Sequence, residues 1–219
     1  MQSRFSLTTG YSDALEQLCS HLLSQRSGNR RYILAVAGPP ASGKSTLAEQ
    51  LVAKLNATRT DCAALLPMDG FHLDNRILAA RGLLSRKGAP ETFDAVGFGV
   101  TVQRLHDRSS EIIHPVFDRT RDLAVAGAGV ITPEVDVIVV EGNYLLLKQE
   151  PWVSMRTHYD LTVFLSPPME VLEQRLIERW LIHGLEEAAA QARAQGNDIP
   201  NARLVLEHSD AGDIRLSDR

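Results

Sequence analysis

The chain has little cysteine, little lysine and few aromatic residues, and it contains no long apolar run. Cys19 and Cys62 are too few for a disulfide framework and lack metal-ligand spacing, which suits a reducing compartment. No stretch approaches the roughly 18 apolar residues of a membrane span. The opening "MQSRFSLTTGYSDALEQL" carries no hydrophobic signal region, so a cytoplasmic protein without membrane insertion is expected. A positive field is also missing. The formal charge of −4 argues against a general binder of nucleic acid or of anionic membranes, which need cations to recruit phosphates. Chemistry on a small molecule is the remaining expectation.

At 219 residues and 44% hydrophobic content, the chain can bury one sizeable core, and a single domain over residues 1–219 is expected. Leu15, Leu18, Cys19, Leu22 and Leu23 recur at helical spacing behind a cap expected at Ser12 or Asp13, so an amphipathic helix opens the fold. Cys19 belongs to that apolar stripe. "YILAVA", "CAALLPM", "VDVIVV" and "YDLTVFL" are short and almost continuously apolar, as parallel strands buried on both faces are, and "GDIRL" is a fifth candidate. Helical patterns at "KSTLAEQLVAKL" and "PMEVLEQRLIERWLIHG" separate them, the second with a glycine stop. That alternation describes a doubly wound α/β sheet. Residues 69–134 break it: this long segment, with a helix at "AVGFGVTVQRLHD" and a ribbon at "EIIHPVFDR" and "AGAGVIT", is expected to form the substrate side.

"GPPASGKST" at 38–46 follows the first strand and opens a helix, and through Gly38, Gly43, Lys44 and Ser45 it fits the G-x-x-x-x-G-K-[ST] pattern in its required setting. Such a loop offers a triphosphate converging backbone N–H groups, a helix N-terminus and one point charge. Gly38, Pro39, Pro40, Ala41, Ser42, Gly43, Lys44, Ser45 and Thr46 are therefore expected to hold ATP, with Lys44 on the terminal phosphates and the Ser45 hydroxyl on Mg²⁺. Lysine stands here in a chain with four lysines and nineteen arginines, because a compact ammonium fits where a planar guanidinium does not.

The second strand runs into "MDGFH" and the third into "EGNY". Ligands in open parallel sheets bind outside the carboxyl ends of strands, so Asp69 and Glu141 are expected beside the loop, Asp69 as the base for an attacking hydroxyl and Glu141 on the metal. The bland reading gives Asp69 to a turn with Gly70 and Glu141 to an arginine. A guanine-reading [NT]-K-x-D segment is missing, which excludes a GTPase, and "VIVVEGNY" lacks the Asp-Glu pair of remodelling ATPases.

"GPPASGKST", "PMDGFHLDN", "RKGAPETFD", "HPVFDR" and "VIVVEGNYLLL", in this order, resemble the P-loop kinases that include uridine kinase, phosphoribulokinase and bacterial pantothenate kinase. "EGNYLLL" with "NDIPNARLV" is most similar to the bacterial nucleoside/nucleotide kinase-like and fructose-transport-system kinase group. The resemblance implies a three-layer α/β/α P-loop NTPase fold with a mostly parallel five-stranded sheet, a substrate-side insertion and a helical lid at about 168–200, hinged at Gly184 and Gly196. It implies ATP and Mg²⁺ as cofactors, and a homodimer is an expectation from it. Carried over by position, it gives Asp69 the role of base, His72 a place beside the acceptor, Lys87 and Asp94 a segment covering the acceptor, and Asp118 and Arg119 the ribbon lining it. Arg175 and Arg179 match lid arginines that close on the transferring phosphate.

The residues themselves leave several of these open. Arg175 and Arg179 share a helix face suited to a phosphate clamp, yet Glu173 and Glu178 offer them ordinary pairing. His72 could be a satisfied loop histidine, Lys87 a solvated one, and Asn143 could touch substrate or cap the next segment. The expected activity is ATP-dependent transfer of the γ-phosphate to a hydroxyl of a sugar, fructose-like, as small-molecule acceptor. Asp94, Asp118 and Asn143 suit hydroxyls, while Arg76, Arg81 and Arg119 keep a sugar phosphate open. Nucleoside and pantothenate kinases are the enzymatic alternatives, and a nucleotide-binding regulator of a transporter is the alternative of another class.

Overall fold

In a computed structural model, residues 11–25 and 30–217 are described. Helix α1 spans Tyr11–Ser24, strand β1 Tyr32–Ala37, α2 Lys44–Thr58 and β2 Ala63–Pro67. Segment 69–134 contributes α3 (Asn75–Ala80), α4 (Ala95–Arg104) and a hairpin of β3 (Ile112–Asp118) and β4 (Leu123–Ile131). Then follow β5 (Val137–Gly142), β6 (Leu161–Leu165), α5 (Met169–Ile182), α6 (Glu187–Arg193), α7 (Ile199–His208) and β7 (Ile214–Leu216). Because α1 already includes Ser12 and Asp13 within its first turn, neither is the residue that precedes the helix, and the expected cap is corrected; the Ser12 side chain lies outside the described residues.

The main sheet runs in the order β2-β5-β1-β6-β7, and all four pairings are parallel. Helices cover both faces, giving the α/β fold read from the sequence. Period-two alternation sorts β1 between two cores: Leu34 and Val36 meet Leu47, Leu51 and Leu55 of α2, while Ile33, Ala35 and Ala37 belong to the cluster of Phe98, Tyr144 and Trp152. A third cluster, Leu172, Leu176, Ala194, Ile199 and Ala202, holds α5 to the α6–α7 segment. Helix α5 stops at Gly184 (φ +86), where the Gly184 N–H reaches the Leu181 carbonyl and the Leu185 N–H reaches that of Trp180, the hydrogen-bond pair of a glycine helix stop. Gly196 forms no break: it sits in a π-helical turn, Ala194–Asp198, that runs on into α7. Among the described residues, no helix is long and apolar enough to cross a membrane.

Arg31 anchors segment 69–134 to the sheet. Fully buried just before β1, it has no carboxylate partner among the described residues and donates instead to four carbonyls: Leu105 (3.1 Å), Asp107 (2.5 Å), Thr132 (2.9 Å) and Val135 (3.3 Å). Those carbonyls flank the β3–β4 hairpin on either side, so one guanidinium closes the base of the whole ribbon. Five N–H donors in a fixed fork suit that task. Arg31→Met keeps the volume but strands the carbonyls. We expect a loss of about 3 kcal/mol of stability, or about 10 °C in melting temperature, in a thermal melt. An unchanged melt would mean that the ribbon is held elsewhere.

Candidate active site

Register places the site. Pairing sets Pro67 of β2 and Val36 of β1 level with Glu141 of β5, so the residues just beyond β1, β2 and β5 emerge at one edge of the sheet. Beyond β1 lies the glycine-rich loop. Gly43, with φ +90, stands at the N-cap of α2 in a left-handed conformation that leaves the first turn without a side-chain cap. The N–H groups of that turn therefore face the cavity with no side-chain acceptor. Lys44 makes no hydrogen bond or ion pair with any described residue. Ser45 Oγ donates to Glu141 Oε2 at 3.2 Å. Glu141 is 4% exposed, and burial pushes its carboxyl pKa up against the opposing pull of Lys44.

Asp69 follows β2 on a short 3₁₀ turn, Met68–Phe71. Its neighbour must be glycine, because a Cβ on Gly70 would overlap the Pro115 carbonyl of β3. That contact presses the hairpin onto the turn and brings Arg119 Nη2 to 3.3 Å from Asp69 Oδ2. Behind the carboxylate, His72 donates from Nδ1 to the Asp69 carbonyl at 2.8 Å, so Nε2 is left as an acceptor. The imidazole lies between Phe93 (4.1 Å) and Phe117 (4.7 Å), and burial lowers its pKa, which favours the neutral ring.

These groups share a cavity of about 980 Å³. On one side are Pro40, Ala41, Gly43, Lys44, Ser45 and Thr46 of the loop. Facing it stand Asp69, His72, Asn75, Lys87, Phe93, Phe117, Arg119, Asp122 and Asn143, and the α5–α7 wall adds Arg179, Trp180, His183, Arg193, Asp198 and Asn201. The Asn143 Oδ1 atom is buried with no partner. Arg179 stacks on Trp180 at 5.7 Å and makes no ion pair with any described residue.

Several residues proposed from the sequence stand elsewhere or are occupied. Asp94 is exposed and caps α4 by accepting from the Gly97 N–H (2.9 Å); Asp118 accepts from the Thr120 and Arg121 amides and forms the hairpin turn. Neither lines the cavity. A short carboxylate beside free amides is captured locally. Gly38, Pro39 and Ser42 form the back of the loop, Gly38 being packed against the Leu165 carbonyl. Arg175 reaches the Ala41 carbonyl (3.4 Å) from outside the cavity, and Arg76, largely exposed, pairs with Asp74. Arg81 is exposed and likewise outside. Lys87 does line the cavity, but its ammonium is consumed by Asn75 Oδ1 (2.7 Å), the Asp122 carbonyl (2.7 Å) and Asp122 Oδ1 (2.9 Å).

Sequence reasoning passed over Asn75, Asp122, Trp180, Arg193, Asp198 and Asn201. Asn75, at the end of "PMDGFHLDN", and Asp198 and Asn201, within "NDIPNARLV", lay in stretches that carried a signal, but none was singled out. Among the described residues there is no cluster of three or more His, Cys, Asp or Glu side chains able to hold a metal. The Ser45–Glu141 oxygen pair fits Mg²⁺, which takes one or two protein oxygens and fills its shell with phosphate and water.

The pattern of the phosphoribulokinase/uridine kinase family matches residues 33–182. The Escherichia coli K12 protein YggC is 35% identical over 186 residues, covering 82% of this chain and 75% of its own length. The Schizosaccharomyces pombe protein C227.14, provisionally named a uridine kinase, is 31% identical over 214 residues, covering 92% of this chain and 89% of its own. The crystal structure of a candidate fructose transport system kinase from Silicibacter sp. TM1040 superposes with a TM-score of 0.86 at 46% identity, over 92% of this chain and 98% of that one.

Burial raises the Glu141 pKa in the folded protein, so folding favours its protonated form. That stability is full below the ordinary carboxylate range and is lost as pH rises through the raised value. Glu141→Gln, which mimics the neutral form, should therefore melt about 2–4 °C above the wild type near pH 8, a gap that closes toward pH 4. A melting temperature below the wild type throughout that range would show that the carboxylate is stabilised where it sits.

Proposed function

The chain belongs to the phosphoribulokinase/uridine kinase family, and from that membership we propose that it transfers the γ-phosphate of ATP, with Mg²⁺, to a hydroxyl of an uncharged polyol of the sugar class. The observation that carries this reading is the Asp69 carboxylate sharing one cavity with Lys44 and Arg179, which have no ion-pair partner among the described residues, and with the hydrogen-bond acceptors of His72 and Asn143.

Lys44 and Arg179 supply the positive charge that a terminal phosphate meets. Asp69 accepts the proton of the attacking hydroxyl, and Arg119 at 3.3 Å orients its carboxylate. His72 Nε2 and the unpartnered Asn143 Oδ1 are acceptors, as hydroxyl recognition requires. When bound at Ser45 and Glu141, Mg²⁺ neutralises charge on the phosphate oxygens. The α5–α7 wall acts as the lid, which excludes water from the site.

The rival acceptors fit less well. A nucleobase wants an open aromatic face, and both Phe93 and Phe117 are covered by His72. A sugar phosphate wants a free cation at the acceptor end, where Lys87 is spent on Asp122, Arg119 is paired with Asp69, and Arg76 and Arg81 lie outside the cavity. The Silicibacter protein is named for fructose transport, which agrees with a sugar acceptor.

The test is ADP release measured across free sugars, sugar phosphates, nucleosides and pantothenate. We expect release with a free sugar, falling about 10²- to 10⁴-fold in Asp69→Asn while ATP still binds. ATP binding with no release for any member of the panel would favour a nucleotide-binding regulator and overturn the kinase reading.

A further inference from the structure

Three carbonyls of the segment 84–93 that walls the acceptor end are capped by side chains, two from the α6–α7 segment and one from the core behind β5. Arg193 Nη1 donates to Ser85 O (3.2 Å), Asn197 Nδ2 to Lys87 O (2.8 Å) and the Tyr144 hydroxyl to Gly88 O (2.5 Å). Asn197 is the most deeply placed of the lid pair, 1% exposed, and its own Oδ1 accepts from Asn201 Nδ2 (3.3 Å), which fixes the amide so that its donor faces Lys87. The residue it holds is a node. The Lys87 carbonyl takes the lid, while the Lys87 ammonium takes Asp122 at the hairpin tip and Asn75 at the start of α3.

Contacts continue in the other direction to the phosphate loop. Ala41 packs against the cluster of Leu172, Leu176, Ala194, Ile199 and Ala202 that brackets Asn197 along the chain, and the Ala41 carbonyl accepts from Arg175. An unbroken set of packed and hydrogen-bonded groups thus joins loop, lid and acceptor wall. Such continuity gives coupling a physical route, and whether energy passes along it is a matter for measurement.

We propose that Asn197 is a positioning residue that ties the acceptor wall to the nucleotide site, so that occupying the phosphate loop orders segment 84–93 through the Asn197–Lys87 bond. The sense of this device is mutual steadying: the Asn197–Lys87 bond pins the wall, and a seated nucleotide holds the lid side of that bond, so the hydroxyl meets Asp69 in a site closed to water. It rests on the reading of the cavity as a nucleotide-dependent phosphotransferase site. It adds to that reading a buried residue that is not among those lining the cavity.

Hydrogen exchange tests it without knowledge of the acceptor. Wild type, Asn197→Ala and the near-isosteric Asn197→Asp, which keeps an acceptor for Asn201 but removes the donor, are compared with and without Mg²⁺ and adenylyl imidodiphosphate. In the wild type, the nucleotide should slow exchange both at 38–46 and at 84–93, the latter by about fivefold or more. In both variants, slowing at 38–46 should persist and slowing at 84–93 should fall below about twofold. Equal slowing of 84–93 in wild type and variants, or none in a wild type whose loop is protected, overturns the latch. No slowing at 38–46 in the wild type overturns the nucleotide reading itself, and the latch with it.

Discussion

The site depends on a register. Parallel pairing sets Val36, Glu141 and Pro67 side by side; the phosphate loop begins two residues past Val36 and brings Ser45 back to Glu141, and Asp69 lies two residues past Pro67. A one-residue slip of β5 would turn Glu141 from one core to the other and place glycine opposite the loop. The slip is prevented by the cores themselves, because Ile138 and Val140 serve one face while Val137 and Val139 serve the other. Hydrophobic alternation, with no functional content of its own, thereby fixes the distance between carboxylates and phosphate loop.

Within that frame the charges divide into spent and unspent ones. Lys87 and Arg31 are committed to oxygens of the protein and hold the walls, while Arg76 is spent on neighbouring Asp74 outside the cavity. Lys44 and Arg179 have no such partner among the described residues, and both line the cavity. A half-buried cation without a counter-ion costs free energy in the empty protein, and a bound phosphate oxygen relieves it. Glu141 shows the same tension with the opposite sign: its burial penalises the carboxylate until a cation arrives. Stability is given up locally so that binding can recover it.

Much of the fold was legible in the sequence, since four apolar runs and a helical alternation suffice to define a parallel sheet, and Asp69 and Glu141 were found by asking where strands end. The site was less legible toward the acceptor. The scarcity of lysine drew attention to Lys87, but sequence could not show that Asp122, distant in the chain, consumes its charge. Asp94 and Asp118 were misplaced because "DAVG" and "DRTR" are local capping and turn patterns whose amides capture the carboxylate first. Asn197 lay within "NDIPNARLV" without being singled out, and Trp180 drew no notice, because the partner a helix face packs against is not named by periodicity.

The two tryptophans stand in opposite surroundings. Trp152 is sealed in the core beside Phe93 and Phe98, 2% exposed. Trp180 lines the cavity, its indole N–H on Asp198 at 2.6 Å and its ring face under Arg193 at 5.1 Å. A carboxylate and a guanidinium against one indole make its emission sensitive to any shift of the α5–α7 wall, while the buried ring supplies a constant background. Trp180 is therefore the indole placed to register events in the cavity, and Trp152 the one shielded from them.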